Sequence, residues 1–142
     1  MSKFVRRLAL MAGLAGMVTV LSGFASQEES YLLDAVNRLR TSHGITELRE
    51  HEALNDRAQS WAGTLAADGR LRHSPLTTLP VPFSLAAENV AYGSTVEQVH
   101  DLLAASPLHR ENLLNPAYTG VGIGTVRAPN GVLFAVEVFF AP

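Results

Sequence analysis

The sequence predicts an α+β domain. Three stretches carry apolar residues at helical spacing, and the chain closes on two strand-like runs joined by a strong turn signal. Those runs, Tyr118 to Val126 and Val132 to Phe139, flank Ala128-Pro129-Asn130-Gly131, whose Asn-Gly pair favours a tight hairpin turn. In the second run Phe134, Val136 and Val138 share one face, while Leu133, Ala135, Glu137 and Phe139 share the other. A strand that is apolar on both sides belongs to a sheet covered on both sides.

The elements follow in order. Ser26-Gln27-Glu28-Glu29 fits a capping box, and Leu32, Ala35, Val36 and Leu39 then recur at helical spacing, which predicts a helix over 28–42. Gly44 ends it, with His43 in its last turn. Residues 45–51 read as a connector anchored by Ile45 and Leu48, with His51 solvated. A second helix runs from residue 52 or 53 to Asp68 with Leu54, Ala58, Trp61, Ala62 and Leu65 as its stripe, and Trp61 in the core. Arg70 to Phe83, with three prolines, is a loop. Residues 86–93 form a short strand or turn. A third helix over 96–105 turns Val96, Val99, Leu102 and Leu103 inward and leaves His100 exposed. Ser106-Pro107 opens one or two helical turns carrying His109, which Asn115-Pro116 stops. Gly120-Val121-Gly122-Ile123-Gly124 then has the pattern of a strand approached closely by other backbone.

Composition narrows the function. At 142 residues and 47% hydrophobic content the chain holds one domain with a sizeable core. The net charge of −2 hides Lys3, Arg6 and Arg7; beyond them eight basic residues face thirteen acidic ones, with no basic run for nucleic acid. Behind that basic start, Leu8 to Leu21 is apolar or small, and Ser22-Gly23-Phe24-Ala25 offers small residues for cleavage after Ala25. Residues 1–25 therefore read as a secretory signal peptide preceding a domain at 26–142. The alternative is an uncleaved membrane anchor, for which Leu8 to Phe24 falls short of the usual ~20 apolar residues. There is no cysteine, which excludes disulfides and a lipidated N-terminus and points to a bacterial secreted or envelope protein, expected to be monomeric.

Three polar residues stand at element boundaries: His73, Glu88 and His109. Two imidazoles and a carboxylate suit a divalent metal or acid–base chemistry beside one. The competing reading is two capping histidines and a salt-bridged glutamate. No nucleophile elbow, His-Glu-x-x-His pair or phosphate loop occurs, and Ser74 and Ser106 read as caps rather than nucleophiles.

Taken in order, His73-Ser74-Pro75, Glu88-Asn89-Val90-Ala91, and Ser106 through Leu114 leading into the Gly-Val-Gly-Ile-Gly run resemble the CAP superfamily of cysteine-rich secretory, antigen five and pathogenesis-related proteins. The resemblance spans about residues 31–140 and includes Asn37-x-x-Arg40 and the Leu54, Ala58, Trp61, Ala62 helix. It implies an α-β-α sandwich whose cleft is lined by two histidines, here His73 and His109, and two acids, of which Glu88 is the first. The cleft of some members binds zinc or another divalent ion. Ser106 stands where the second acid belongs, Ala87 replaces a customary glycine, and Leu103 replaces a tryptophan. Glu88 alone must then balance a metal charge, or act as base if the protein is an enzyme. Glu137 either compensates by facing the cleft or lies on the surface.

Three functions follow from the resemblance. The first is a non-enzymatic exported domain whose cleft takes a divalent metal and a ligand or partner. The second is a metal-assisted hydrolase with Glu88 as general base. The third is a structural envelope module or a lipid or sterol binder. The missing acid favours the first.

Overall fold

The computed structural model describes residues 26–142; the expected signal peptide lies outside them. Helix α1 (Gln27–Ser42) opens with the capping box read from the sequence. Ser26 Oγ accepts from the Glu29 amide at 3.2 Å, and Glu29 Oε2 accepts from the Ser26 amide at 2.8 Å. His43 closes the helix through Nδ1, 2.9 Å from the Leu39 carbonyl, a structural use of this histidine. Strand β1 (Arg49–Glu50) is followed by helix α2 (Glu52–Asp68). Strand β2 (Leu85–Gly93), helix α3 (Val96–Ala105), helix α4 (Pro107–Leu114), strand β3 (Gly120–Arg127) and strand β4 (Leu133–Ala141) complete the chain.

The strands form one sheet in the order β1-β3-β4-β2. β3 and β4 make the expected antiparallel hairpin, whose turn is closed by Gly131 at φ 87°. Only a residue without a Cβ adopts that left-handed conformation freely. β2 lies antiparallel on the far side of β4 over nine residues, from Leu85↔Ala141 to Gly93↔Leu133. One feature was not expected. The sheet is mixed, because β1 runs parallel to β3 within the stretch read as a connector. Of the two alternatives for residues 86–93, the structure has the strand, since its alternating residues reach a core on each face.

The alternation on β4 divides those cores. Phe134, Val136, Val138 and Phe140 pack with Val90 against Leu54, Ala58, Ala62 and Leu65 of α2. Leu133, Ala135 and Phe139 pack with Val121 and Ile123 against Leu32 and Val36 of α1, Val99 and Leu103 of α3, and Leu113 of α4. The architecture is therefore an α-β-α sandwich. The loop between α2 and β2 is anchored on the α2 side by Leu76, Leu79, Val81 and Phe83.

Several side chains sit differently from expectation. Leu102 is 51% exposed, because Val96, Val99 and Leu103 already complete the inward stripe of a ten-residue helix. His100 is half-buried, and its enclosed Nδ1 has no partner among the described residues. His51 is also half-buried, drawn onto the sheet by β1 and set edge-on to Phe140 at 5.7 Å. Trp61 stands at the rim of its core, where its Nε1 donates to the Arg72 carbonyl at 3.0 Å under the Arg72 guanidinium.

Candidate functional site

The site grows from two adjacent residues of β2. Successive side chains on a strand point to opposite faces. Glu88, sharing a face with Val90, points to the α2 side; Asn89, sharing one with Ala91, points to the side of α1, α3 and α4.

On the α2 side, the Glu88 carboxylate is almost fully enclosed and held by three donors. Oε1 accepts from His73 Nδ1 and from the Ser74 amide, each at 2.8 Å. Oε2 accepts from the Ser74 hydroxyl. That hydroxyl accepts in turn from Arg57 Nη2 at 3.1 Å, and the same nitrogen donates to the Pro75 carbonyl. Arg57 of α2 thus fixes the loop that brings His73 and Ser74 to Glu88. The His73 side chain itself is 62% exposed.

On the other side, His109 rides on the first turn of α4. Its Nδ1 lies 2.8 Å from Ser106 Oγ, three residues earlier. Ser106 is the residue before Pro107 at the helix start, yet its hydroxyl makes no capping bond to the helix amides. The hydroxyl is given to the imidazole instead. Asn89 reaches α4 from below: its Nδ2 donates to the His109 carbonyl at 3.2 Å, and its Oδ1 accepts from Asn112 Nδ2 at 2.9 Å. Burial lowers the His109 pKa, and the charge of His73 adds to that effect.

The structure therefore joins His73 directly to Glu88 and brings His109 within electrostatic reach of His73. Among the described residues, no group of three or more His, Asp or Glu side chains is arranged to hold a metal ion. What the two histidines share is a tethered Nδ1, on Glu88 in one case and on Ser106 in the other. Neither Nε2 has a hydrogen-bond partner within the described protein. Arg57 and the hydroxyl role of Ser106 escaped sequence reasoning. Arg57 lies 17 residues from Ser74, and a serine before proline reads as a helix start.

Glu137 is neither on the surface nor on the Glu88 face. It is fully buried beneath α4, where its Oε2 accepts from Asn89 Nδ2 at 3.2 Å and its Oε1 has no partner among the described residues. Burial pushes its pKa up to about 7, opposed in part by the Asn89 bond. A glutamate in the unfolded chain titrates near 4.3. Between those values the folded protein keeps a proton that the unfolded chain has released, so stability falls as pH rises through this window, by roughly 3–4 kcal/mol in total. Urea midpoints at pH 5 and pH 8 check this. Glu137→Gln should flatten the part of the pH dependence due to this group, and an unchanged slope would remove the assignment.

A cavity of about 530 Å³ opens at the β1 edge, between Glu47, Arg49, His51, Tyr118 and Phe140. The sheet order places it at the opposite edge from β2, so it is separate from the histidines.

A four-stranded sheet between α2 and the layer of α1, α3 and α4 is the fold of a known class of protein. Residues 33–139 match the cysteine-rich secretory protein family, and the chain belongs to this CAP family. It is 28% identical over 113 residues to the uncharacterised protein YkwD of Bacillus subtilis, which covers 72% of this chain and 44% of that protein. The chain thus spans less than half the length of that relative. Among solved structures, an outer surface protein of Borrelia burgdorferi is similar with a TM-score of 0.73 at 20% identity, covering 84% of this chain and 96% of that one. An extracellular protein of Bacillus anthracis containing an SCP domain is similar with a TM-score of 0.66 at 23% identity, covering 85% of this chain and 45% of that one. At these identities the structural likenesses speak for the fold alone.

Proposed function

We propose that this is an exported, non-enzymatic CAP domain whose His73–His109 pair binds a divalent cation, zinc or a similar ion, and through it a ligand or an envelope component. The observation that carries this reading is the matched treatment of the two imidazoles. Each has Nδ1 engaged by a neighbouring side chain, which orients the ring and leaves Nε2 for an outside partner. A carboxylate behind a metal-binding histidine does the same in many metal sites. In this arrangement Glu88 acts behind His73 rather than as a ligand. A site with two protein ligands leaves the remaining positions of the ion to water or to a bound group.

The burial of Glu88, with 1% of its side chain exposed, and its engagement by three donors favour this reading over the hydrolase. A general base needs a lone pair within reach of the water it activates, and the buried carboxylate is already engaged by His73 and Ser74. Export rests on the basic and apolar pattern of residues 1–25 and on membership of the cysteine-rich secretory protein family. Among the described residues no helix is long and apolar enough to cross a membrane.

Calorimetric titration of the purified protein with zinc tests the reading. Binding should be lost in the His73→Ala/His109→Ala double variant and weakened about tenfold or more in Glu88→Gln, the usual size of such a supporting contact. Equal zinc binding by wild type and double variant would overturn it. Peptide or ester hydrolysis abolished by Glu88→Gln would move the assignment to the hydrolase.

A further inference from the structure

We propose that Glu137 is a positioning residue for His109: its buried carboxyl orients Asn89, and Asn89 holds the His109 end of α4 against the sheet. Glu137 and Asn89 face each other in register across β4 and β2. The amide of Asn89 is engaged at three points. Nδ2 donates to Glu137 Oε2 and to the His109 carbonyl, both at 3.2 Å, while Oδ1 accepts from Asn112 Nδ2 at 2.9 Å. A side-chain amide offers two donor hydrogens, and here each has a separate acceptor. Without the Glu137 oxygen one of those hydrogens is stranded in the interior, and the amide loses its reason to hold this orientation.

The consequence reaches the imidazole through a short chain of fixed contacts. Ser106 ties the His109 ring to its own helix, and Asn89 ties that helix to β2. His73 is tied to the preceding residue of the same strand, Glu88. The spacing of the two imidazoles therefore depends on neighbouring positions 88 and 89, and the second of these depends on Glu137. Core stability alone does not account for a carboxyl here. Its strand neighbours on the same face, Ala135 and Phe139, are apolar, and its Oε1 has no partner among the described residues. Among the described residues no charged side chain offsets its burial, and Asn89 is the group that eases it. Arg40, the buried cation on this side of the sheet, is committed to four backbone carbonyls. A polar group kept at such a cost is explained by what it orients.

Two substitutions separate positioning from filling space. Glu137→Gln retains an acceptor oxygen for Asn89; Glu137→Leu has similar bulk and none. In Glu137→Leu, amide exchange in α4 should accelerate at least tenfold relative to α2, and the NMR signals of the His109 ring should shift while those of His73 stay in place. Glu137→Gln should preserve both. Zinc affinity should fall about tenfold in Glu137→Leu and change less than threefold in Glu137→Gln. The zinc arm rests on the proposed metal reading and the NMR arm does not, so wild-type protein that fails to bind zinc removes that reading while the NMR arm still decides this one. If Glu137→Leu does not fold, Glu137→Met, unbranched and adaptable in a core, removes the same acceptor from Asn89 Nδ2 and should shift the His109 signals alone. The proposal is overturned if His109 and α4 are unchanged in the variant that folds. It is equally overturned if protection falls alike in α2 and α4, or if Glu137→Gln disturbs His109 as much as Glu137→Leu.

Discussion

Replacing Arg40 by alanine is expected to remove about 4 kcal/mol of stability, the scale for losing a large buried side chain together with its hydrogen bonds to buried acceptors. The side chain is wholly enclosed. Its Nε donates to the Thr46 carbonyl at 2.9 Å, Nη1 to those of Leu113 and Asn115 at 3.0 Å each, and Nη2 to that of Tyr118 at 3.1 Å. One guanidinium thus fastens the end of α1 to the connection between α4 and β3. Alanine leaves a void and four acceptors with one partner fewer, and buried acceptors without partners are costly. Lysine is expected to rescue little, because a single ammonium cannot match the planar fork. Urea denaturation checks this, and a loss below about 1 kcal/mol would refute the account. Since domains of this kind hold only about 5–15 kcal/mol in total, the alanine variant should lie near the limit of folding.

The second large effect is expected at Gly124. A Cβ there would stand 2.1 Å from the Gln59 backbone nitrogen and 2.3 Å from the Ala58 carbonyl carbon. These are helix backbone atoms, which cannot swing aside as a flexible side chain can. Alanine must therefore lift α2 from β3. That motion also strains the side-chain amides of α2 that stand in for a missing strand: Asn55 Oδ1 on the Ile123 amide and Gln59 Oε1 on the Thr125 amide, each at 2.9 Å. A destabilisation of about 3 kcal/mol or more is expected, at the upper end for overpacking, and a melting temperature lower by roughly 10 °C or more. Gly63→Ala is the control. Among the described residues nothing lies within 4 Å of a Cβ at that helical position, so alanine there should stabilise by up to about 1 kcal/mol. Equal effects at the two glycines would show that close packing of α2 on β3 is not what Gly124 serves.

Much of the scaffold was legible because its signals are local. The capping box at Ser26 and Glu29, the stripe of α2 and the Asn-Gly turn each lie within a few residues, where backbone geometry and hydrogen bonding decide the outcome. The two apolar faces of β4 announced a covered sheet for the same reason. Strand β1 was not legible, because its two residues become a strand only by pairing with β3. His100 and His51 were read as exposed from their own segments, yet segments distant in sequence enclose them in part.

The site divides along the same line. His73, Glu88 and His109 were singled out from boundary positions and from the resemblance to the CAP family. The contacts that define them were not, since Arg57 on Ser74, Asn89 on the His109 carbonyl and Glu137 on Asn89 join residues 17, 20 and 48 positions apart. Ser106 was read as a departure from the family's second acid, and the fold shows its hydroxyl on the His109 imidazole. By itself, then, the sequence determined the helices, the hairpin, the family and the residues around which a site forms, because period, caps and turns act over a few residues. Only the tertiary structure decided that Glu88 and Asn89 serve opposite faces and that Glu137 is buried behind one of them, because those outcomes depend on sheet register and layer packing.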